Sequence, residues 1–163
     1  MSVIAAKVYP DHIDIACDSI LIKDDLKKTN FKKIFDTGLV CAGGCGSAEE
    51  LAMFFQYIQQ YTPECPSIKG ILDYMRNFSR WKYDYINDDV IHNCYLIVYR
   101  GQLFEVDGMF VQKITDHTAI GEGEEYALAA LHLGHSVEEA VQTACDLCCF
   151  VAEPVVKYKV VQH

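Results

Sequence analysis

Two cysteines near the carboxyl end of the sequence, Cys145 and Cys148, have the spacing of a redox pair or of one half of a zinc site. They lie late in an amphipathic segment rather than at a helix start, and no second cysteine pair or histidine pair at ligand spacing accompanies them. The cluster Gly121-Glu122-Gly123 is too short to be a dinucleotide-binding fingerprint. We therefore predict that the two cysteines pack in the core, and that the protein has neither a metal site nor a cofactor.

The length and charge of the chain restrict its class and its partners. The sequence has 163 residues, which fit one domain spanning residues 1–163. Its formal net charge is −9, and nucleic-acid affinity depends on clustered lysines and arginines, so we expect neither a nucleic acid nor an anionic membrane as a partner. The first residues lack the basic and apolar regions of a secretion signal, and no apolar run reaches the ~18 residues of a membrane span. These features predict a cytoplasmic protein with reduced cysteines.

Apolar periodicity predicts that groups of strands alternate with pairs of helices. Strands are predicted at residues 3–9, 13–17, 30–35, 39–42, 91–99, 103–106, 110–114, 118–121 and 154–161. Helices are predicted at residues 47–61, 67–86, 124–133 and 136–150. A helix pair after each group of antiparallel strands favours two sheets packed face to face with helices outside. The sequence therefore predicts an α+β fold, a four-layer α-β-β-α sandwich.

Five short stretches occur in the order and at the spacing of a known family. They are Ser2-Val3-Ile4, Ile15-Ala16-Cys17-Asp18, Asn30-Phe31-Lys32-Lys33-Ile34, Cys45-Gly46-Ser47-Ala48-Glu49-Glu50 and Ile120-Gly121-Glu122-Gly123-Glu124-Glu125-Tyr126-Ala127. Together with the order of the elements, they resemble the proteasome β-subunit family of N-terminal nucleophile hydrolases, especially its HslV-type peptidases. The resemblance covers nearly the whole chain. It implies the same sandwich fold and hydrolysis of peptide bonds inside a self-compartmentalising ring.

In this family the nucleophile is the first residue of the mature chain, and Ser2 takes that place if Met1 is removed. A small residue after the initiator methionine favours this removal, so we expect a free α-amine beside the Ser2 hydroxyl without any propeptide. An α-amine has an ordinary pKa of about 7.7–8.0, which suits a general base at neutral pH. One residue then supplies both the nucleophile and its base.

The resemblance also assigns the remaining catalytic roles. Lys33 matches the lysine that contacts the nucleophile, and Asp18 matches the aspartate that keeps this lysine charged. Gly46 matches the backbone N–H donor for the tetrahedral oxyanion, and Asp146 matches the aspartate that orients the nucleophile's backbone. The residues that match the family's substrate pocket are Ile20, Phe31, Phe35, Gly44, Ala48 and Ala52. This apolar set implies a hydrophobic residue before the cleaved bond.

Each of these residues also has a plain structural interpretation. Ser2 would then be an ordinary terminal residue, and Lys33 a solvated strand lysine. Asp18 and Gly46 would be turn residues at the end of a strand and before a helix. For Lys33 the alternation of the strand favours an inward side chain, because Phe31 and Phe35 would face the same way.

The sequence departs from the family pattern next to the nucleophile. Serine replaces the usual threonine at residue 2, and Glu122 stands where the family has a serine close to the terminal amine. A carboxylate there would hold the amine protonated and oppose its role as a base, and a retained Met1 would remove that amine from Ser2.

Three functions therefore stay open at this point. The first is a peptidase that forms a homo-oligomeric ring, acts on peptides or unfolded proteins and is fed by an ATP-dependent unfoldase. The second is a non-catalytic ring or scaffold protein with a decayed site. The third is a small-molecule amidase with the same fold.

Overall fold

The computed structural model describes residues 2–23, 26–28 and 30–161. The strands are β1 Val3–Val8, β2 His12–Cys17, β3 Leu21–Lys23, β4 Leu26–Lys28, β5 Ile34–Asp36, β6 Val40–Cys45, β7 Cys94–Tyr99, β8 Gln102–Asp107, β9 Phe110–Ile114, β10 His117–Gly121 and β11 Val156–Val161. The helices are α1 Ala48–Gln60, α2 Ile68–Ile86, α3 Glu124–His132 and α4 Val137–Leu147. No helix within the described ranges has both the length and the apolar character needed to cross a membrane.

The longer strands form two antiparallel sheets. The first sheet has the strand order β10-β1-β2-β11, and the second has the order β5-β6-β7-β8-β9. The short strands β3 and β4 pair with each other. In the first sheet β1 is central, and its first residue, Val3, lies opposite Gly121 of β10. The residue before β1, Ser2, therefore emerges next to the end of β10.

Alternate residues of β1 pack against two different layers. Val3 and Ala5 belong to an apolar cluster with residues of α3 and α4, such as Ala127. Ile4 and Ala6 belong to a second cluster, which joins the first sheet to the second. Because neighbouring side chains of a strand point to opposite faces, the first sheet is covered on both sides.

The helices α1 and α2 cover the outer face of the second sheet. Phe54 of α1 and Phe78 of α2 are fully buried there with Tyr95 of β7, and the rings of Phe54 and Tyr95 lie 4.3 Å apart. Three apolar clusters thus separate four layers, in the order α1 and α2, second sheet, first sheet, α3 and α4. The predicted α+β fold with an α-β-β-α sandwich is confirmed.

The helix starts predicted at residues 47, 67 and 136 are also confirmed, and a serine caps each of them. The hydroxyls of Ser47, Ser67 and Ser136 each accept a hydrogen bond from a backbone N–H in the first turn of α1, α2 and α4. At α4 the side chain of Glu139 completes a capping box with Ser136. These caps satisfy N–H groups that have no partner inside a helix, so they mark where each helix begins.

The segment before β5 differs from the prediction. Residues 30–33 were predicted to extend a strand, but β5 begins at Ile34. Asn30 has a φ of +68°, which a strand does not accommodate, and Phe31 N donates to Ser19 O at 3.0 Å. The segment therefore crosses from the end of β2 to the second sheet, and this crossing carries Lys33 to Asp18.

Other element ends shift for local reasons. The strand predicted at residues 39–42 continues to Cys45, β7 begins at Cys94 rather than at residue 91, and α4 ends at Leu147 rather than at residue 150. Cys148 ends α4 because its backbone is extended. The pairing of β3 with β4 was not predicted, since three-residue strands leave no periodic pattern.

Candidate active site

A buried ion pair lies beside the start of β1. Both carboxylate oxygens of Asp18 accept hydrogen bonds from Lys33 Nζ at 2.8 Å. The exposed fraction is 0% for Asp18 and 2% for Lys33. A buried charge without a partner is strongly disfavoured, so each of these groups depends on the other. The solvated-lysine interpretation of Lys33 is therefore wrong. Its side chain points inward as predicted, although residues 30–33 do not form the strand on which that prediction rested.

Asp18 also holds the backbone of the predicted nucleophile. Its Oδ1 accepts a hydrogen bond from Val3 N at 2.9 Å, and its own N donates to Val3 O at 3.2 Å. Val3 N belongs to the peptide bond that joins Ser2 to Val3. One carboxylate therefore connects the Lys33 ammonium to the peptide group of Ser2.

The chain around the end of β10 encloses Ser2. Ser2 has an exposed fraction of 5%, and Gly123 N donates to Ser2 O at 3.2 Å. Gly121 has a φ of +99°, and a Cβ at this position would lie 2.4 Å from Ser2 O. Glycine is thus required for the backbone at the end of β10 to approach Ser2 so closely. Met1, whose removal the peptidase hypothesis requires, lies outside the described residues.

Gly46 forms the turn between β6 and α1. Its φ is +132°, and a Cβ here would lie 2.3 Å from Asn93 Oδ1. The next residue, Ser47, caps α1, so Gly46 stands at the amino-terminal end of a 13-residue helix. Backbone N–H groups and the positive end of the helix dipole favour negative charge at such a position. The role of Gly46 as oxyanion donor stays a prediction.

Two cysteine thiols near the ion pair are poor nucleophiles. Burial raises the pKa of Cys45 well above its ordinary value, against an opposing effect of the Lys33 ammonium. Burial, followed by the negative charge of Asp18, raises the pKa of Cys145 to about 11. Because the thiolate is the reactive form of cysteine, both thiols are unreactive at neutral pH.

Asp146 is not brought to this cluster. Its side chain is exposed, and its Oδ1 accepts a hydrogen bond from Gln142 Nε2 at 2.9 Å on the outer face of α4. The neighbouring Cys145 is the residue of α4 that interacts with Asp18. Glu122 is exposed, and its backbone carbonyl accepts a hydrogen bond from the Cys148 thiol at 3.7 Å.

The predicted pocket residues lie at different depths. Ile20 is buried and its N donates to Asp18 Oδ2 at 3.2 Å, which joins the pocket set to the ion pair. Phe31 and Phe35 are partly buried against the cluster that contains α1. Ala48 is half-buried and Ala52 is exposed, one turn apart on α1.

Gly44 has a structural reason to be glycine. It is buried, and a Cβ at this position would lie 2.7 Å from atoms of both Leu51 and Tyr95. Glycine lets α1 pack directly on β6, and any larger residue would displace the helix. The sequence predicted the strand before this glycine and the helix at residues 47–61, but not that this helix packs directly on Gly44.

Sequence reasoning missed Asn93, which binds the turn at Gly46. Asn93 Oδ1 accepts a hydrogen bond from Ser47 N at 2.6 Å, and Asn93 Nδ2 donates to Ser47 O at 2.9 Å. Asn93 lies 46 positions from Ser47, directly before β7. No local pattern in the sequence relates the two residues.

Comparison with known proteins places this geometry in a known fold. No family model matches the sequence, and no curated protein matches it. Among solved structures, BPH from Thiobacillus denitrificans superposes with a TM-score of 0.88 at 19% identity, over 99% of this chain and 98% of that chain. The structure of Thiobacillus denitrificans BPH in complex with Epoxomicin gives a TM-score of 0.86 at 19% identity, over 99% of both chains.

A third solved structure is eukaryotic HslV from Trypanosoma brucei. Its TM-score is 0.72 at 16% identity, and the match covers 98% of this chain and 99% of that chain. These matches extend over whole chains, so they compare the complete sandwich. The chain therefore has the proteasome-like fold of the N-terminal nucleophile hydrolases, as its resemblance to the HslV-type proteins implied.

Proposed function

We propose that this protein is an N-terminal nucleophile peptidase in which the Ser2 hydroxyl attacks peptide bonds. The position of Asp18 carries the proposal, because one carboxylate binds both Lys33 Nζ and the N–H of the peptide bond after Ser2. This arrangement holds a buried ammonium beside the nucleophile. A fixed positive charge stabilises the negative charge that develops on the attacking and accepting oxygens.

In the proposed reaction the chain begins at Ser2, after removal of Met1. The Ser2 oxygen bonds to the substrate carbonyl carbon, its proton passes to the Ser2 α-amine, and the carbonyl electron pair moves to the oxygen. Gly46 N–H donates a hydrogen bond to this oxyanion. When the C–N bond breaks, the proton moves from the α-amine to the leaving amine and an ester on Ser2 remains. Water hydrolyses this ester by the same proton route.

The substrate class follows from the apolar residues near this site. Ile20 is tied to Asp18, while Phe31 and Phe35 offer partly buried aromatic surface. We expect a hydrophobic side chain before the cleaved bond to bind there, with Ala48 and Ala52 of α1 leaving room for it. Burial of apolar surface supplies the affinity of such a contact.

The nucleophile is tested with a p-nitrophenyl ester of a short hydrophobic peptide acid. Attack by the Ser2 oxygen releases p-nitrophenolate, and the chain gains the mass of the acyl group. We expect this mass gain on the fragment that carries Ser2, together with hydrolysis of hydrophobic peptides at a neutral pH. Epoxomicin, which a BPH structure with this fold contains, should compete with the labelling.

Ser2→Ala removes the hydroxyl and is expected to lose both labelling and hydrolysis. Ser19→Ala is the matched control, because Ser19 is a buried serine whose hydroxyl donates to Pro154 O. That variant should still be acylated at Ser2. Acylation that persists in Ser2→Ala would contradict the assignment.

Ring assembly is part of the proposal. Large apolar side chains are exposed at the carboxyl end of α2 and just after it, at Tyr83, Tyr85, Ile86 and Val90. Exposed apolar surface of this kind is typical of protein contacts, and copies of this chain are the partner that the fold suggests. An ATP-dependent unfoldase would be the further partner that supplies unfolded chains to such a ring.

Native mass spectrometry is expected to find a homo-oligomer. Tyr85→Glu combined with Val90→Glu should lower the share of oligomer at least tenfold, because a charge in an apolar contact loses its hydration. Met109→Glu, at another exposed apolar position, in the turn between β8 and β9, should leave the oligomer intact. A wild-type protein that stays monomeric at all concentrations would rule out the ring.

A non-catalytic ring protein is the second candidate, and Glu122 is the residue that favours it. Its peptide lies against Ser2, since the following residue, Gly123, binds Ser2 O. A carboxylate at this position favours the protonated form of the Ser2 α-amine and so opposes its role as a general base. Intact-mass measurement on protein from the native host separates the two candidates, because only a chain without Met1 has the amine that the peptidase needs.

A further inference from the structure

We infer that Asn93 is a positioning residue that fixes the oxyanion donor, and that the buried pair of Glu50 and Lys82 holds Asn93 in place. This inference rests on the proposed function, since Asn93 acts through Gly46 and does not touch the substrate. A continuous chain of hydrogen bonds runs from α2, through α1, to the turn at Gly46.

The side-chain amide of Asn93 engages both backbone groups of Ser47. Its Oδ1 accepts from Ser47 N at 2.6 Å and its Nδ2 donates to Ser47 O at 2.9 Å. These two bonds fix both the position and the orientation of the Ser47 backbone relative to the Asn93 side chain. Asn93 itself has an exposed fraction of 0%. Ser47 N–H is already used by Asn93 and is not available to an oxyanion, whereas the Gly46 N–H assigned by resemblance lies directly before it.

The conformation of Gly46 depends on this contact. At a φ of +132°, Gly46 has a backbone that residues with a side chain rarely adopt, and it packs directly against the Asn93 side chain. A glycine is also free to leave that conformation. Gly46 N–H belongs to the preceding peptide bond, with Cys45 at the end of β6. Asn93 Oδ1 holds the following peptide plane by binding Ser47 N–H, so it restrains from the Ser47 side any rotation at Gly46 that would turn the Gly46 N–H away.

Glu50 holds Asn93 from the backbone side. Its Oε1 accepts hydrogen bonds from Asn93 N at 3.0 Å and from the Tyr95 hydroxyl at 2.9 Å. Its Oε2 accepts from His92 N at 3.0 Å. Burial opposes the charge of Glu50, but its hydrogen bonds with His92, Lys82, Asn93 and Tyr95 outweigh this effect and lower the pKa of Glu50.

Lys82 supplies the compensating charge. Its Nζ donates to Glu50 Oε2 at 2.9 Å and to Asp88 Oδ2 at 3.2 Å, and it also donates to Val90 O. Lys82 is fully buried near the end of α2. The ion pair thus joins α2 to α1, and it binds the segment from Asp88 to Asn93 to the first turn of α1.

The ion pair of Glu50 and Lys82 stands apart from that of Asp18 and Lys33, and the two hold different parts of the site. The pair at Asp18 holds the peptide of Ser2, whereas the pair at Glu50 holds the turn that contains Gly46. Catalysis requires these parts to keep a fixed separation, because an oxyanion donor works only within hydrogen-bond distance of the developing charge. The second ion pair has no other visible connection to the proposed chemistry.

The test compares Asn93→Ala with the wild type on a matched pair of substrates, a peptide ester and its thiono ester, in which sulfur replaces the carbonyl oxygen. Sulfur accepts hydrogen bonds weakly, so the rate ratio of ester to thiono ester reports the oxyanion donor. Loss of one such donor lowers kcat by about 10²–10³. For displacement of the donor in Asn93→Ala we expect a loss of kcat of about 10- to 100-fold, a KM within threefold of the wild type, and a smaller ester-to-thiono ratio.

Ile71→Val, a buried substitution elsewhere on α2, controls for a general loss of stability and should leave the ratio unchanged. Amide hydrogen exchange gives a readout that does not require activity: Ser47 N–H should lose protection in Asn93→Ala. Unchanged kcat and an unchanged ratio in an active Asn93→Ala would overturn the inference and leave the peptidase proposal intact. A wild type that neither hydrolyses nor acylates would overturn the peptidase proposal, and with it the catalytic role of Asn93.

Discussion

Lys33→Met is expected to lower the free energy of unfolding by about 3–5 kcal/mol and to abolish hydrolysis. The substitution keeps most of the side-chain volume but leaves Asp18 as a buried carboxylate without its cation, at an exposed fraction of 0%. The remaining hydrogen bonds to Asp18 come from Val3 N and Ile20 N, and they do not neutralise its charge. Urea denaturation at pH 7 measures the loss.

Lys69→Met is the matched control for this prediction. Lys69 Nζ lies 2.8 Å from Asp73 Oδ2, the same distance as in the buried pair, but the Lys69 side chain is 87% exposed. Water solvates both of these charges, so stability should stay nearly unchanged. Equal losses in the two variants would show that burial is not what makes the Asp18 pair important.

Gly121→Ala is expected to destabilise the protein and to displace the nucleophile. The backbone conformation, at a φ of +99°, costs an alanine about 1–2 kcal/mol. The added Cβ would lie 2.4 Å from Ser2 O, and relief of such overlap costs a further 1–3 kcal/mol or so. Because the overlap falls on the backbone of Ser2, we expect hydrolysis to fall about 100-fold or more in the protein that still folds.

Gly134→Ala separates the two contributions. Gly134 has nearly the same φ, +95°, but a Cβ there would meet nothing within 4 Å. It therefore incurs only the cost of the backbone conformation, about 1–2 kcal/mol, and activity should persist. Thermal denaturation of both variants gives the comparison. If Gly134→Ala loses as much activity as Gly121→Ala, then close approach to Ser2 is not the cause.

Much of the fold follows from local patterns. The strand predicted at residues 3–9 is found at Val3–Val8, where it lies between α3–α4 and the second sheet. Serines before apolar periodic segments mark the starts of α1, α2 and α4. These signals can be recognised in the sequence because each depends on residues within about one helical turn or one strand.

The candidate active site could be predicted from the sequence only in part. Asp18, Lys33 and Gly46 were assigned by resemblance, and the structure brings Asp18 and Lys33 together across 15 positions of the chain. Asp146 was assigned in the same way, yet its helix turns that carboxylate to solvent and turns Cys145 inward. A shift of one residue on a helix changes the direction of a side chain by about 100°, which a match of short stretches does not resolve.

By itself, the sequence determined the four helices, the longer strands, their order and the four layers, because hydrogen-bonded caps and apolar periodicity act over a few residues. The tertiary structure alone decided which polar groups meet inside those layers. Lys33 reaches Asp18 because residues 30–33 leave the strand conformation, and Asn93 reaches Ser47 across 46 positions because β7 pairs with β6. Contacts of this kind depend on how the sheets and helices pack, so no local pattern encodes the buried pairs that hold Ser2 and Gly46 in place.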